Sequence, residues 1–375
     1  MKRIASTIAA VLLAGIFCLA QTKNSAAADA AFRWFDPTET ASVHGQGWPE
    51  LRSTYFRLPD KAHGVVRDAV WTLSRNSAGL SLVFRTDASE IRVRYKVTGG
   101  LAMWHMPSTG VSGVDLYVRD GDGGWLWCAP VFTPSIKQEQ CSYVYDDITV
   151  TSDGAKEFHL YLPLYNTVQK MEVGVPAGSS FEFIPVGDAK PLVFYGTSIA
   201  QGACASRPGQ AWGNILDRET LMPAVNIAFS GNGKLEPELF SLLCEIDAAM
   251  YIIDCMPNMS GIQDDIEPRL IAGVKMLRAS HSCPIILVEH CGSAGEKTSA
   301  PRKALVDSVN GHLQKAYKAL LDEGVPGIWY MSHDEIGLVE SDMVEGIHPT
   351  DLGMRRYADA YEKLILKILL EESGL

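Results

Sequence analysis

Ser198 is the residue around which a chemistry can be assembled. It sits in Pro191-Leu-Val-Phe-Tyr-Gly-Thr-Ser198-Ile-Ala-Gln-Gly202, where an apolar run breaks at Gly196 and delivers the serine straight afterwards. A free hydroxyl hardly ionises at neutral pH. Attack on an acyl carbon therefore needs a base, a group to orient that base, and donors for the oxyanion. His348 can serve as base. Glu345, three residues earlier in Glu345-Gly-Ile-His348-Pro, has the spacing to hold the other ring nitrogen from the same loop. Gly231 offers an unobstructed backbone N–H, and Asn258 offers a side-chain amide. Each residue also has a plainer use: a helix cap for Ser198, a turn for Gly231, an Asx cap for Asn258 and an ordinary loop histidine for His348.

The elements that must position these residues make the joint reading the stronger one. Beyond residue 191, apolar runs at 192–195, 225–229, 249–253, 285–288 and 328–331 alternate with helical stretches at 213–221, 235–246, 264–281, 301–323 and 350–371. Short, unalternating strands between helices predict a parallel sheet covered on both faces. Ligands of such sheets sit at the carboxyl ends of the strands. Ser198, Gly231 and Asn258 fall after the first three strands, and His348 falls in the loop before the last helix. His290 and His333 also follow strands, but without partners at fixed spacing they read as loop residues.

Residues 31–185 alternate with period two, as in Ile91-Arg-Val-Arg-Tyr-Lys-Val and Phe158-His-Leu-Tyr-Leu, between clusters of Gly, Asp, Ser and Pro. That pattern predicts an antiparallel sandwich without a strong helix. Val186-Gly-Asp-Ala-Lys-Pro191 reads as the joint between the halves. Six tryptophans stand here, at 34, 48, 71, 104, 125 and 127. Packing is the commoner use of such rings, and a sugar-stacking platform the alternative. Trp104-His105-Met106-Pro107 stands out, combining a bulky ring with polar, turn-prone neighbours.

Gly196-Thr-Ser198, Ser230-Gly231, Asn258 and Glu345-x-x-His348-Pro resemble the four blocks of the SGNH (GDSL-type) hydrolases. Upstream, Gly113-Val-Asp115-Leu-Tyr117 resembles the GxDLY domain that precedes the catalytic domain in a bacterial, carbohydrate-esterase-like branch. The two stretches together span nearly all of the chain after its leader. The resemblance implies a flavodoxin-like α/β domain at 191–375, preceded by a jelly-roll-like β-sandwich at 31–185. It implies Ser198 as nucleophile, His348 as base, and an oxyanion hole of the Ser198 and Gly231 N–H groups with the Asn258 side chain. The family pattern usually has Asp where Glu345 stands, and Asp342 is the nearest substitute acid. The implied activity is a serine esterase acting on short acyl esters, foremost O-acetyl groups on carbohydrate. An acyl transferase on glycans, or an inert carbohydrate-binding protein, are the alternatives.

Composition narrows the rest. Met1–Ala20 has Lys2 and Arg3 followed by an uncharged apolar run, which predicts a secretory signal cleaved between Ala20 and Ala30 and an exported product. Loss of the two basic residues takes the net charge from −11 to −13, which disfavours nucleic acid and anionic membrane as partners. No other run approaches a membrane span. Seven cysteines follow the leader, an odd number, with no Cys-x-x-Cys and no His-Glu-x-x-His. Neither metal nor cofactor is expected. Cys128 and Cys141 are the pair placed to clip one loop, and Cys255 and Cys283 are expected as buried small hydrophobes. Ala200 excludes a Gly-x-Ser-x-Gly elbow, and Glu236 excludes a dinucleotide loop. Oligomeric state is not legible.

Overall fold

The computed structural model describes residues 31–131, 133–149, 154–220 and 222–373; the leader expected at residues 1–20, with its cleavage tract to residue 30, lies outside the described residues. The first half contains strands β1 (Phe32–Phe35), β2 (Val43–His44), β3 (Ser81–Thr86), β4 (Ile91–Val97), β5 (Asp115–Arg119), β6 (Trp125–Cys128), β7 (Cys141–Tyr145), β8 (Lys156–Tyr161), β9 (Val168–Pro176) and β10 (Phe181–Phe183). They form two antiparallel sheets, β1-β9-β4-β7 and β10-β3-β8-β5-β6, with β2 beside β3. The alternation read from the sequence turns one side of each sheet inward, so that Leu82, Phe84, Val93, Phe158 and Val173 share one core.

The second half is a parallel sheet of β11 (Leu192–Gly196), β12 (Ala224–Ala228), β13 (Met250–Asp254), β14 (Ile285–Val288) and β15 (Ile328–Met331). Their order is β12-β11-β13-β14-β15, the doubly wound arrangement. All five residues of β11, β12 and β13 are buried, as strands covered on both faces require. One face takes Val193, Tyr195, Ile227 and Ile253 against helices Pro237–Leu243, Ile266–Ser280 and Ala300–Asp322. The other takes Phe194, Ala228 and Ile252 against helices Trp212–Glu219 and Asp351–Ser373. Observed ends lie within three residues of those expected.

Two expectations for the first half fail. A seven-residue helix, Asp68–Ser74, is present where none was expected. Leu58, Ala62, Val66 and Val70 recur every four residues, and this stripe packs with Trp48 and Leu51 onto the parallel sheet of the other half. Withdrawing each Leu or Val from water contributes about 1.5–3 kcal/mol. Of these only Val70 lies in the helix; Leu58, Ala62 and Val66 reach the α/β core from the irregular chain and the 3₁₀ turn before it. Cys128 and Cys141 are both buried free thiols, and they belong to opposite sheets of the sandwich. The other five cysteines after the leader are free as well; Cys255 is buried and Cys283 half-buried.

The halves meet at Asp115, the acid of the Gly-x-Asp-Leu-Tyr stretch. It is buried in β5, and its Oδ2 accepts from Arg207 Nη1 (2.5 Å), the Gly209 N–H (2.9 Å) and the Tyr117 hydroxyl (3.3 Å). Its Oδ1 accepts from Trp127 Nε1 at 2.6 Å. A second buried acid, Asp254, closes β13. Tyr361 donates to its Oδ2 at 2.9 Å, and burial pushes its pKa from an ordinary 3.8 up to about 7.

Removing one partner from a buried ion pair strands the other. Asp115→Ala therefore lowers unfolding free energy by on the order of 3 kcal/mol, at the low end for such pairs because Arg207 keeps 23% of its side chain in solvent. Denaturant melts of the two proteins measure this, and a difference near zero would refute the joint. For Asp254, the folded carboxyl holds a proton between about pH 4 and 7 that the unfolded chain releases, so stability falls as pH rises through that window. Asp254→Asn removes this slope. Melts at about pH 5 and about pH 8 should show wild type losing stability and the variant losing less; equal losses would contradict the assignment.

Candidate active site

Parallel register sets the site. Gly196 lies opposite Ala228 on one side and Asp254 on the other, so the three strands end level and the chains leaving them emerge side by side. From β11 the chain turns through Thr197, whose hydroxyl caps the next turn by accepting from the Ile199 N–H at 3.3 Å. Ser198 is thus the first residue of a one-turn helix, Ser198–Gln201, where backbone N–H groups have no acceptor within the helix. The sequence pattern had placed the next helix only near Trp212. Ser198 is 8% exposed.

The loop after β12 folds back over this turn. Phe229 N–H donates to the Gly196 carbonyl at 3.0 Å, and the Ser230 N–H donates to Oε1 of buried Gln201 at 2.9 Å. Gly233 lies so close that a β-carbon there would stand 2.0 Å from the Gly196 oxygen. Gly231 has φ of +67° with open space around it, so backbone conformation and not room calls for glycine. Its N–H has no hydrogen-bond acceptor among the described residues. Asn258 belongs to the 3₁₀ turn Met256–Met259 that follows β13. The hydrogen-bond network orients its amide so that Oδ1 accepts from the Asn232 and Gly233 N–H groups, both at 3.1 Å. That commits the carbonyl end to the loop and leaves the NH₂ end as donor.

His348 reaches Ser198 from the loop before helix Asp351–Ser373, with Nε2 2.8 Å from Oγ. Nδ1 forms a short hydrogen bond to Oε1 of Glu345. Glu345 is itself held by the His348 N–H on Oε1 (3.2 Å) and the Gly346 N–H on Oε2 (2.7 Å). Asp342 is fully buried and points elsewhere: its Oδ2 accepts from the Val339 N–H at 2.9 Å and lies 3.0 Å from Arg356 Nε. Asp351 ties the two loops together, accepting from the Ser206 N–H at 2.8 Å and the Ser206 hydroxyl at 2.5 Å. All five residues singled out for chemistry therefore lie on loops that leave one end of the sheet. His290 and His333 stand apart, the first accepting from the Gly292 N–H and the second held by Glu289. A cavity of about 530 Å³ opens beside Pro191 and Pro223, at the other end of the strands, and includes none of them.

The sandwich half contributes to the site as well, which residue spacing did not reveal. The Tyr165 hydroxyl donates to the Ser198 carbonyl at 3.2 Å. The His105 ring lies 5.3 Å from that of His348, and Trp104, 84% exposed, stacks on His105 at 4.3 Å. Burial and the neighbouring His348 lower the His105 pKa. Cys204, in the loop after Ser198, is pushed up to about 12 by burial and by the charge of Glu345. Trp104 through Pro107 was conspicuous by composition, yet nothing in the pattern placed it beside His348. Of the other tryptophans, Trp48 is buried packing that donates to Glu245, and Trp127 is half-exposed on Asp115.

A family model described as the GDSL-like lipase/acylhydrolase family matches residues 189–366, and one described as the N-terminus of SGNH-hydrolase-type esterases matches residues 32–181. Among solved structures, one described as a GDSL-like lipase from Bacteroides ovatus has 30% identity and a TM-score of 0.81, covering 90% of this chain and 98% of its own. A salicylyl-acyltransferase from a tetracycline biosynthetic pathway has 21% identity and a TM-score of 0.71, with the same coverage. A family two carbohydrate esterase from Cellvibrio japonicus has 12% identity and a TM-score of 0.55, again over 90% and 98% of the two chains. The last two likenesses are likenesses of fold. No curated protein matches the chain in sequence.

Proposed function

Because the chain belongs to the GDSL-like lipase/acylhydrolase family, we propose that it is an exported serine esterase that removes O-acyl groups, foremost O-acetyl, from carbohydrate through an acyl-enzyme. The observation that carries this reading is the 2.8 Å contact between Ser198 Oγ and His348 Nε2, with Glu345 on the opposite ring nitrogen. With Nδ1–H donating to Glu345, Nε2 is free to take the hydroxyl proton as Oγ bonds to the ester carbon. The oxyanion that forms is held by the N–H groups of Ser198 and Gly231 and by Nδ2 of Asn258, each donor contributing about 2.7–4 kcal/mol. Collapse breaks the bond to the sugar oxygen, which leaves with the proton from Nε2. In the second half His348 takes a proton from water, the water oxygen attacks the acyl carbon, and Ser198 leaves reprotonated. No step calls on a metal or a cofactor.

Carbohydrate as the alcohol component is supported by Trp104, an exposed ring beside the His105 and His348 pair that can stack on a sugar face. It is supported too by the fold shared with a family two carbohydrate esterase. The acidic balance of the chain favours uncharged glycans over polyanions. Export rests on the Met1–Ala20 pattern. The fold shared with a salicylyl-acyltransferase favours one second reading, in which a sugar hydroxyl replaces water as acceptor.

Hydrolysis of a chromogenic acetate ester should fall at least about 10³-fold in Ser198→Ala, since the nucleophile is lost. Indistinguishable rates would sink the esterase reading. Glu345→Gln should lower kcat by about 10²- to 10⁴-fold by releasing the imidazole from its orienting acid, whereas Asp342→Asn should act mainly on stability. A larger kcat loss in Asp342→Asn would reassign the acid. Acetate released from acetylated polysaccharide, with and without an added sugar acceptor, separates hydrolysis from transfer: an acceptor that consumes most of the acyl groups would favour the transferase.

A further inference from the structure

Three side chains of the site have a use that ester hydrolysis does not require. One donor atom each of His105, Cys204 and His348 lies within 4.8 Å of the others. Two imidazoles and a thiol are ligands for a borderline or soft cation, not for calcium or magnesium, which take oxygen. Tetrahedral zinc, with bonds of about 2.3 Å to sulfur and about 2.0–2.1 Å to nitrogen, would place such atoms roughly 3.3–3.6 Å apart. Binding would draw donor atoms that lie up to 4.8 Å apart together by up to about 1.2–1.5 Å.

Two further features mark the cluster. His105 Nδ1 is shielded from solvent and has no hydrogen-bond partner among the described residues, although buried polar atoms are almost always paired. Cys204 has φ of +69°, a left-handed conformation that costs a residue with a β-carbon and that glycine or asparagine takes more readily. In that conformation the thiol lies against the His105 turn, with Sγ 3.3 Å from the His105 carbonyl oxygen.

We propose that His105, Cys204 and His348 form an inhibitory site for a zinc-like divalent cation. The cation takes Nε2 of His348, because Nδ1 is held by Glu345, which two backbone N–H groups fix in turn, whereas the Ser198 hydroxyl can rotate away. The thiol proton passes to solvent as the metal–sulfur bond forms, and no electron is transferred. With the cation bound, Nε2 cannot accept the Ser198 proton, so hydrolysis stops until the cation leaves. A chain with donors far apart in sequence shows no metal motif, which is why spacing alone pointed to none.

Only the inhibitory consequence rests on the esterase reading; the cation site itself does not. Cobalt(II) titrated into the full-length protein should give tetrahedral ligand-field bands and a thiolate-to-cobalt charge-transfer band. Ser198→Ala should keep both. Cys204→Asn, which suits the left-handed backbone and so guards against misfolding, should lose the charge-transfer band, and Cys204→Ser should do the same. On a chromogenic acetate, zinc should inhibit and chelator should reverse it, while equal calcium or magnesium should not. Half-inhibition, with each protein scaled to its own metal-free rate, should need about 100-fold or more zinc in Cys204→Asn and His105→Ala. Absence of the charge-transfer band in the wild type, or unchanged half-inhibition in Cys204→Asn, would overturn the site. A wild type with the cobalt bands but no esterase activity would overturn the proposed function and leave the cation site standing.

Discussion

A carboxylate with 3% of its surface exposed must find compensation inside the protein, and Asp115 finds it across the joint between the two halves. Arg207 and Gly209 approach from the α/β side, Tyr117 and Trp127 from the sandwich. None of the four can be withdrawn without leaving charge or lone pairs unmet in a dry place. The pair fixes more than two residues. Ser206, next to Arg207, is gripped by Asp351 at the start of the last helix, and its carbonyl accepts from the Thr109 hydroxyl at 2.7 Å. The loop after Ser198, the loop carrying His348 and the short helix Ser108–Val111 that follows His105 are thereby fastened to one another. A relative shift of the halves would disturb the Ser198 and His348 contact directly.

The loop carrying Gly231 is braced from the sandwich half by two arginines. Arg57 is 1% exposed and bonds to the carbonyls of Leu73, Asn76, Asn226 and Ala228, with Phe229 under its guanidinium. Burial lowers its pKa to about 9. Its charge is met by these backbone oxygens and by Oδ1 of Asn226 at 3.3 Å, with no carboxylate among the partners, so it serves as a clamp on the end of β12 and not as an ion pair. Arg67 holds the next turn, donating to the Asn232 carbonyl and side chain at 2.8 Å and to Glu236. Gly231 therefore presents its N–H from a loop with little freedom to move, which is what preorganised stabilisation of a developing charge requires.

How much of this was legible in the sequence depended on the range of each interaction. The parallel sheet was readable because strands buried on both faces cannot alternate, and helices between them must keep a 3.6-residue stripe. Glu345 and His348 were readable as a pair because three residues on one loop bring a carboxylate to an imidazole; that left Asp342 open, and its contact with Arg356 is invisible to spacing. Leu58, Ala62, Val66 and Val70 lie mostly in turns, and their partners Val193 and Ile227 are more than a hundred residues away, so their role could not be read locally. The stretch holding His105 stood out by composition, but its place beside Cys204 and His348 was hidden for the same reason. The cysteine clip failed because closeness in sequence between Cys128 and Cys141 hid a change of sheet.

The stretch from Trp48 to Val70 also bears on how the molecule comes into being. It is made early, yet the sheet face it covers is complete only after β12, β11 and β13 exist. During synthesis the sandwich strands can pair locally, while this stretch waits with its apolar residues uncovered. Val193, Val225 and Ile227 take part of their cover from this stretch and part from the helices of the α/β half itself. The joint at Val186–Pro191 is therefore crossed by core packing as well as by the chain itself.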